Sequence, residues 1–133
     1  MTASKVLFDT WAWWEVLQGS TAGARLQRRY LDASGFDVLT SAISLGELSA
    51  KLSSQLAEES ISLAVNSIRS SSAILDLTGE LAVEAGLIRT RLRRKVQSAS
   101  LADGIVLATA RQHGARLITQ DRALGGQPDM ASE

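Results

Sequence analysis

Four acidic residues, Asp9, Glu47, Asp103 and Asp121, are widely separated in the 133-residue chain, yet each falls where a regular element should begin or end. Asp9 follows the apolar run Val6-Leu7-Phe8, and Asp121 follows Arg116-Leu117-Ile118-Thr119. Glu47 lies in the first turns of a helix expected after a strand, and Asp103 in the first turn of another. Carboxylates brought together repel one another unless some are protonated or a cation neutralises them. Donors that are all hard oxygens select Mg²⁺ or Mn²⁺ over zinc. Such an ion polarises a phosphate, lowers the pKa of a water and orients it for in-line attack, which suits phosphodiester hydrolysis.

Each acid also has a structural reading. Ser100-Leu101-Ala102-Asp103 and Ser44-Leu45-Gly46-Glu47 both fit the capping-box template, in which the acid serves only its own helix. Asp9 can cap a helix or start a turn, and Asp121 can open the short turn Asp121-Arg122-Ala123-Leu124.

The elements between them decide whether the acids meet. Short apolar runs at Val6–Phe8, Phe36–Leu39, Ala73–Leu77 and Arg116–Thr119 read as buried strands. Helices are expected over Trp11–Gln18, Thr21–Leu31, Ile43–Gln55, Glu58–Ser70, the stretch after Thr78, and Leu101–His113, with Ser70-Ser71-Ser72 as a turn. Gly114 ends the last helix, which makes His113 a helix-end residue. Alternating strands and helices imply a three-layer α/β/α sandwich around a parallel sheet of four short strands, with a fifth left open. Right-handed crossovers place the carboxyl ends of the strands on one edge, where such sheets bind ligands. That edge would gather all four acids. The reading is one domain over residues 1–124 and a polar, frayed tail over 125–133.

Composition narrows the chemistry. Lysine plus arginine and aspartate plus glutamate number 14 each, so no global basic field marks a nucleic-acid binder. There is no cysteine and one histidine, which removes thiol nucleophiles, zinc–thiolate sites and a multi-histidine metal site within one chain. The N-terminus does not read as a signal peptide, and no apolar run reaches the roughly 18 residues of a membrane span. A cytoplasmic, membrane-free protein is expected.

Four segments together resemble the PIN domain, in particular the VapC-type toxins of prokaryotic toxin–antitoxin pairs. They are Val6-Leu7-Phe8-Asp9-Thr10-Trp11-Ala12-Trp13, Thr40-Ser41-Ala42-Ile43-Ser44-Leu45-Gly46-Glu47-Leu48, Ser100-Leu101-Ala102-Asp103-Gly104-Ile105-Val106-Leu107-Ala108-Thr109-Ala110, and Gly114-Ala115-Arg116-Leu117-Ile118-Thr119-Gln120-Asp121. The resemblance covers nearly the whole chain. It implies a Mg²⁺- or Mn²⁺-dependent endoribonuclease, a homodimer, and an antitoxin partner that blocks the site. By that analogy Asp9, Glu47 and Asp103 are the core metal ligands and Asp121 a more peripheral fourth. Thr119 matches a family hydroxyl beside the site, and Thr10 supports it through its main chain or hydroxyl. The chain departs from the family in two ways. Asp121 is followed by Arg122-Ala123-Leu124-Gly125-Gly126 rather than by an aromatic residue and a hydrophobic strand, and tryptophans are unusually frequent after Asp9-Thr10.

Two further groups have open readings. Arg89, Arg91, Arg93, Arg94 and Lys95 form a basic cluster, either a solvated helix end or an RNA contact. Arg25, Arg28 and Arg29 read as a solvated face. Trp11, Trp13, Trp14 and Tyr30 suit core packing or a dimer surface better than base stacking, but three tryptophans within four residues cannot all face one way. Among other functions, a haloacid-dehalogenase-type phosphatase needs a second aspartate where Trp11 stands. A signalling receiver domain can place Asp76 near the third strand end, but it lacks the acidic pair and the late lysine. A catalytically inactive binding module of the same fold and a DNA-cleaving enzyme complete the alternatives.

Overall fold

The computed structural model describes residues 3–120 and the backbone of Met130–Ala131. The elements run β1 (Ser4–Phe8), α1 (Thr10–Gln18), α2 (Thr21–Leu26), β2 (Phe36–Ser41), α3 (Ala42–Ser53), α4 (Glu58–Ser71), β3 (Ala73–Leu75), α5 (Gly79–Leu92), α6 (Leu101–His113), β4 (Arg116–Ile118) and β5 (Met130–Ala131). The strands form one parallel sheet in the order β3-β2-β1-β4-β5. The fifth strand left open by the polar tail is present: Leu117 pairs with Met130 and Ile118 with Ala131. The rest of the tail lies outside the described residues.

Alternation along the strands splits the core into two layers, because successive side chains of a strand point to opposite faces. Val6 and Phe8 of β1, Val38 of β2 and Ile118 of β4 pack with Ala12, Trp13, Leu26, Leu48 and Ile68 from α1–α4. Leu7, Leu39 and Leu117 face the other way, onto Leu81, Ala85 and Ile88 of α5 and Ile105, Leu107 and Ala108 of α6. The sheet is therefore covered on both sides, as the apolar strands require.

Three boundaries differ from the sequence reading. The helix expected over Thr21–Leu31 is α-helical only to Leu26 and continues as a π-helical turn over Gln27–Leu31, closed by Asp32 N–H donating to Gln27 O at 2.8 Å. That turn buries Tyr30 edge-on against Phe8 and Phe36. The serines at 70–72 do not form a separate turn. Helix α4 runs to Ser71, with Ser70 and Ser71 donating to Ser67 O and Ser72 to Ile68 O. Strand β3 ends at Leu75, short of Leu77.

Helices α5 and α6 cross at Gly104, where an added Cβ would stand 2.3 Å from the Ala85 carbonyl oxygen. Only a residue without a side chain lets them approach this closely. Gly114 ends α6 in the left-handed conformation at φ 61°, as expected of a helix C-terminus. No helix of the described residues is long and apolar enough to cross a membrane.

Candidate active site

The strand order reverses direction at β1, whose neighbours are β2 on one side and β4 on the other. A crevice outside the carboxyl ends of the strands is expected at such a switch point. Helices α1, α3 and α6 all start at that edge, and they deliver the acids. A cleft of about 370 Å³ opens there, lined by Asp9, Thr10, Trp11, Glu47, Ala102, Asp103, Val106 and Gln120. Three of the four acids singled out in the sequence thus share one cleft. Asp121 lies outside the described residues.

Each of the three is held differently. Asp9 is buried at 8% exposure and is the N-cap of α1, its Oδ1 accepting from the Ala12 N–H at 2.9 Å. Its own N–H donates to Ile118 O at 3.3 Å, tying the end of β1 to the end of β4. Asp103 closes a capping box: its Oδ2 accepts from the Ser100 N–H at 2.8 Å, and its N–H donates to Ser100 Oγ at 3.1 Å. Both structural readings were therefore right for these residues, and they do not exclude the functional one. The cap points the carboxylate into the cleft, and the positive end of the helix favours its charge.

Glu47 does not form the capping box that Ser44-Leu45-Gly46-Glu47 allowed. Helix α3 starts three residues earlier than that box needs, at Ala42, with Ser41 as its N-cap. Ser44 is then a mid-helix residue, fully buried, and its hydroxyl bonds to no described residue. Glu47 is instead held across the cleft, where Thr10 Oγ1 donates to its Oε1 at 2.6 Å. The support expected from Thr10 comes through its hydroxyl. Thr119 is buried at 4% exposure at the end of β4 and is not among the cleft-lining residues.

None of Arg89, Arg91, Arg93, Arg94 and Lys95 lines the cleft. Arg91 lies 3.7 Å from Glu84 and Arg93 donates through Nε to Ala99 O at 3.0 Å, while Arg94 and Lys95 are exposed beyond the end of α5. Arg25, Arg28 and Arg29 are exposed, as read, with Arg29 over the Tyr30 ring at 5.2 Å. Asp76 is exposed and is likewise absent from the cleft lining.

The tryptophans divide by position on α1. Trp13 is buried 5.0 Å from the Phe8 ring and donates to Thr40 Oγ1 at 2.9 Å. Trp14 carries Lys51 Nζ over its ring at 4.0 Å. Trp11 lines the cleft. The sequence reading favoured core packing or a dimer surface for the tryptophans, with at least one reaching the surface, and did not single out Gln120. The one available signal for both was adjacency, Trp11 two residues after Asp9 and Gln120 one before Asp121.

The polar side chains of the described lining are three carboxylates, the Thr10 hydroxyl, the Gln120 amide and the Trp11 indole, with no histidine. Among the described residues, no three acidic or histidine side chains meet closely enough to enclose an ion unaided.

The fold is thus an α/β protein with a parallel sheet and three carboxylates lining the crevice at its switch point. The chain belongs to the PIN domain family, whose model matches residues 6–126. Its fold is shared with the toxin–antitoxin complex of Klebsiella pneumoniae (TM-score 0.74, 21% identity, 95% of each chain covered). It is shared also with VapBC2 from Rickettsia felis bound to a promoter DNA fragment (0.75, 20%, 97% of each). A third similar structure is Mycobacterium tuberculosis VapC20, a toxin that cleaves the sarcin-ricin loop (0.69, 20%, 91% of this chain and 95% of that one). A search of curated proteins finds no match.

Proposed function

We propose that this protein is a divalent-metal-dependent endoribonuclease and the toxin of a toxin–antitoxin pair. The observation that carries the reading is the convergence of Asp9, Glu47 and Asp103, from three separate helix starts, on one cleft at the switch point of the sheet. Family membership and the shared fold of VapC20 favour RNA as the substrate. The toxin–antitoxin complexes of the same fold favour an antitoxin partner, and a homodimer belongs to the same proposal.

Asp9, Asp103 and Glu47, with Asp121 as a fourth, are the residues that would hold Mg²⁺ or Mn²⁺. The ion would supply charge neutralisation at the phosphate and a water activated at neutral pH. The protein's part is positioning. Asp9 is locked by the α1 N-terminus, Asp103 by Ser100, and Glu47 by Thr10. Pre-set groups of this kind remove the need to order them during the reaction.

The test is incubation of purified, antitoxin-free protein with RNA in Mg²⁺, Mn²⁺ or chelator, beside Asp9→Asn. Cutting is expected to require the metal and to fall at least about a thousandfold in Asp9→Asn, the loss of several kcal/mol of charge stabilisation. The melting temperature should hold, because asparagine also caps helices. Cutting that survives both chelator and the substitution sinks the mechanism. Cutting of DNA in place of RNA sinks the substrate assignment.

A further inference from the structure

We infer that Trp11 is a base-stacking platform that holds a nucleobase of single-stranded RNA against the wall of the acidic cleft, beside the phosphate to be cut. This rests on the ribonuclease reading above and adds to it the element that retains and orients the substrate.

Four observations carry it. The other two tryptophans of α1 have structural partners, Trp13 in Phe8 and Thr40, and Trp14 in Lys51. Trp11 is half-buried, one side packed on the core, and its indole makes no hydrogen bond or ring contact with another described residue. It lines the same cleft as Asp9, Glu47 and Asp103. The described lining includes no lysine or arginine.

The last point bears on the mode of binding. Ordinary RNA retention leans on basic side chains at phosphates and weakens steeply with salt. Here the net charge is zero and no residue of the basic cluster is among those described as lining the cleft. Stacking on an aromatic face needs no charge and accepts any base. A nucleotide whose phosphate lies at the carboxylates presents its base to the cleft wall, where the flat indole stands. The first position after Asp9-Thr10 is thus occupied by a large planar ring in a crevice that holds three carboxylates, where a small polar residue would serve the helix as well.

The experiment is an abasic scan. Short single-stranded oligoribonucleotides, with one abasic ribose walked along the strand, are titrated by fluorescence anisotropy in Ca²⁺ against wild type, Trp11→Ala, Trp11→Phe and Trp14→Ala. Wild type should lose about tenfold in affinity at one or two abasic positions, the order expected for one stacked base. Trp11→Ala should bind the intact strand about tenfold more weakly. It should then be indifferent to the abasic ribose at those same positions. Trp11→Phe should keep most of the affinity, and Trp14→Ala all of it. The Trp11→Ala deficit should also stay constant between low and high salt. Wild-type affinity in Trp11→Ala, or a deficit equal at every abasic position, overturns the inference, as does an intact strand that fails to bind wild type. The two readings fail separately. Binding that depends on Trp11 without metal-dependent cutting removes the nuclease and leaves the platform. Cutting that Asp9→Asn abolishes but Trp11→Ala leaves intact in KM and kcat removes the platform and leaves the nuclease.

Discussion

Asp103 and Glu47 line one cleft and are held by opposite means. Asp103 is gripped by its own helix, through a box that closes over three residues. Glu47 is gripped by another helix, through a threonine 37 residues away. The first arrangement forms as soon as α6 forms. The second exists only once β1, β2 and the two helices that follow them are assembled. A capping bond contributes to stability in any helix, whereas a tertiary hydrogen bond on an exposed glutamate adds little stability and mainly sets a position. Breaking the two should therefore have different consequences, one in stability and one in rate.

The largest disturbance is expected at Gly104→Ala, which acts on the Asp103 side through packing. Its Cβ would drive into the Ala85 carbonyl. Overpacking of this kind should cost about 3 kcal/mol, more than the roughly 1 kcal/mol that alanine gains over glycine in a helix. Chemical denaturation measures this, and a midpoint at or above wild type would show that α5 and α6 can part without cost. Cutting should fall as well, because Asp103 is the adjacent residue.

Thr10→Val comes next. It keeps the shape and removes the hydroxyl that holds Glu47. The cutting rate should fall about 10- to 100-fold, the scale of a catalytic group displaced by about 1 Å. Stability should change by less than about 1 kcal/mol, the net worth of an ordinary hydrogen bond. Thr10→Ser should restore the rate. A Thr10→Val enzyme with wild-type kcat would reduce the Thr10–Glu47 bond to a resting contact.

Ser100→Ala should have the smallest effect, and a reversed one. Losing the N-cap hydroxyl should cost about 1 kcal/mol of stability. The backbone N–H of residue 100 still donates to Asp103 Oδ2, so the carboxylate stays in place and cutting stays near the wild-type rate. A rate loss in Ser100→Ala larger than that in Thr10→Val would overturn the contrast between locally and distantly held acids.

What could be read in advance follows the same division. The runs at Val6–Phe8, Phe36–Leu39 and Arg116–Thr119 are apolar enough to be strands only if both faces are covered, which forces helices onto both sides. Asp9 and Ser100-Leu101-Ala102-Asp103 were legible because cap and capped groups lie within three residues. The Ser44–Glu47 pattern was equally legible and did not form, because Ser41 had already started the helix. A cap template says that a box can form, and competition among neighbouring caps decides which one does.

The sequence by itself determined the alternation of strands and helices, the family, and the placement of three acids at one edge of a parallel sheet, because these depend on local periodicity, short-range hydrogen bonds and the handedness of crossovers. Tertiary structure alone decided that Thr10 bonds Glu47, that Trp13 enters the core while Trp11 lines the cleft, and that none of Arg89, Arg91, Arg93, Arg94 and Lys95 is among the described lining residues. It also added the fifth strand from a polar tail, since Met130 and Ala131 pair through backbone groups that every sequence carries. Contacts between distant residues depend on angles and distances between whole elements, and side-chain order along the chain does not encode those one residue at a time.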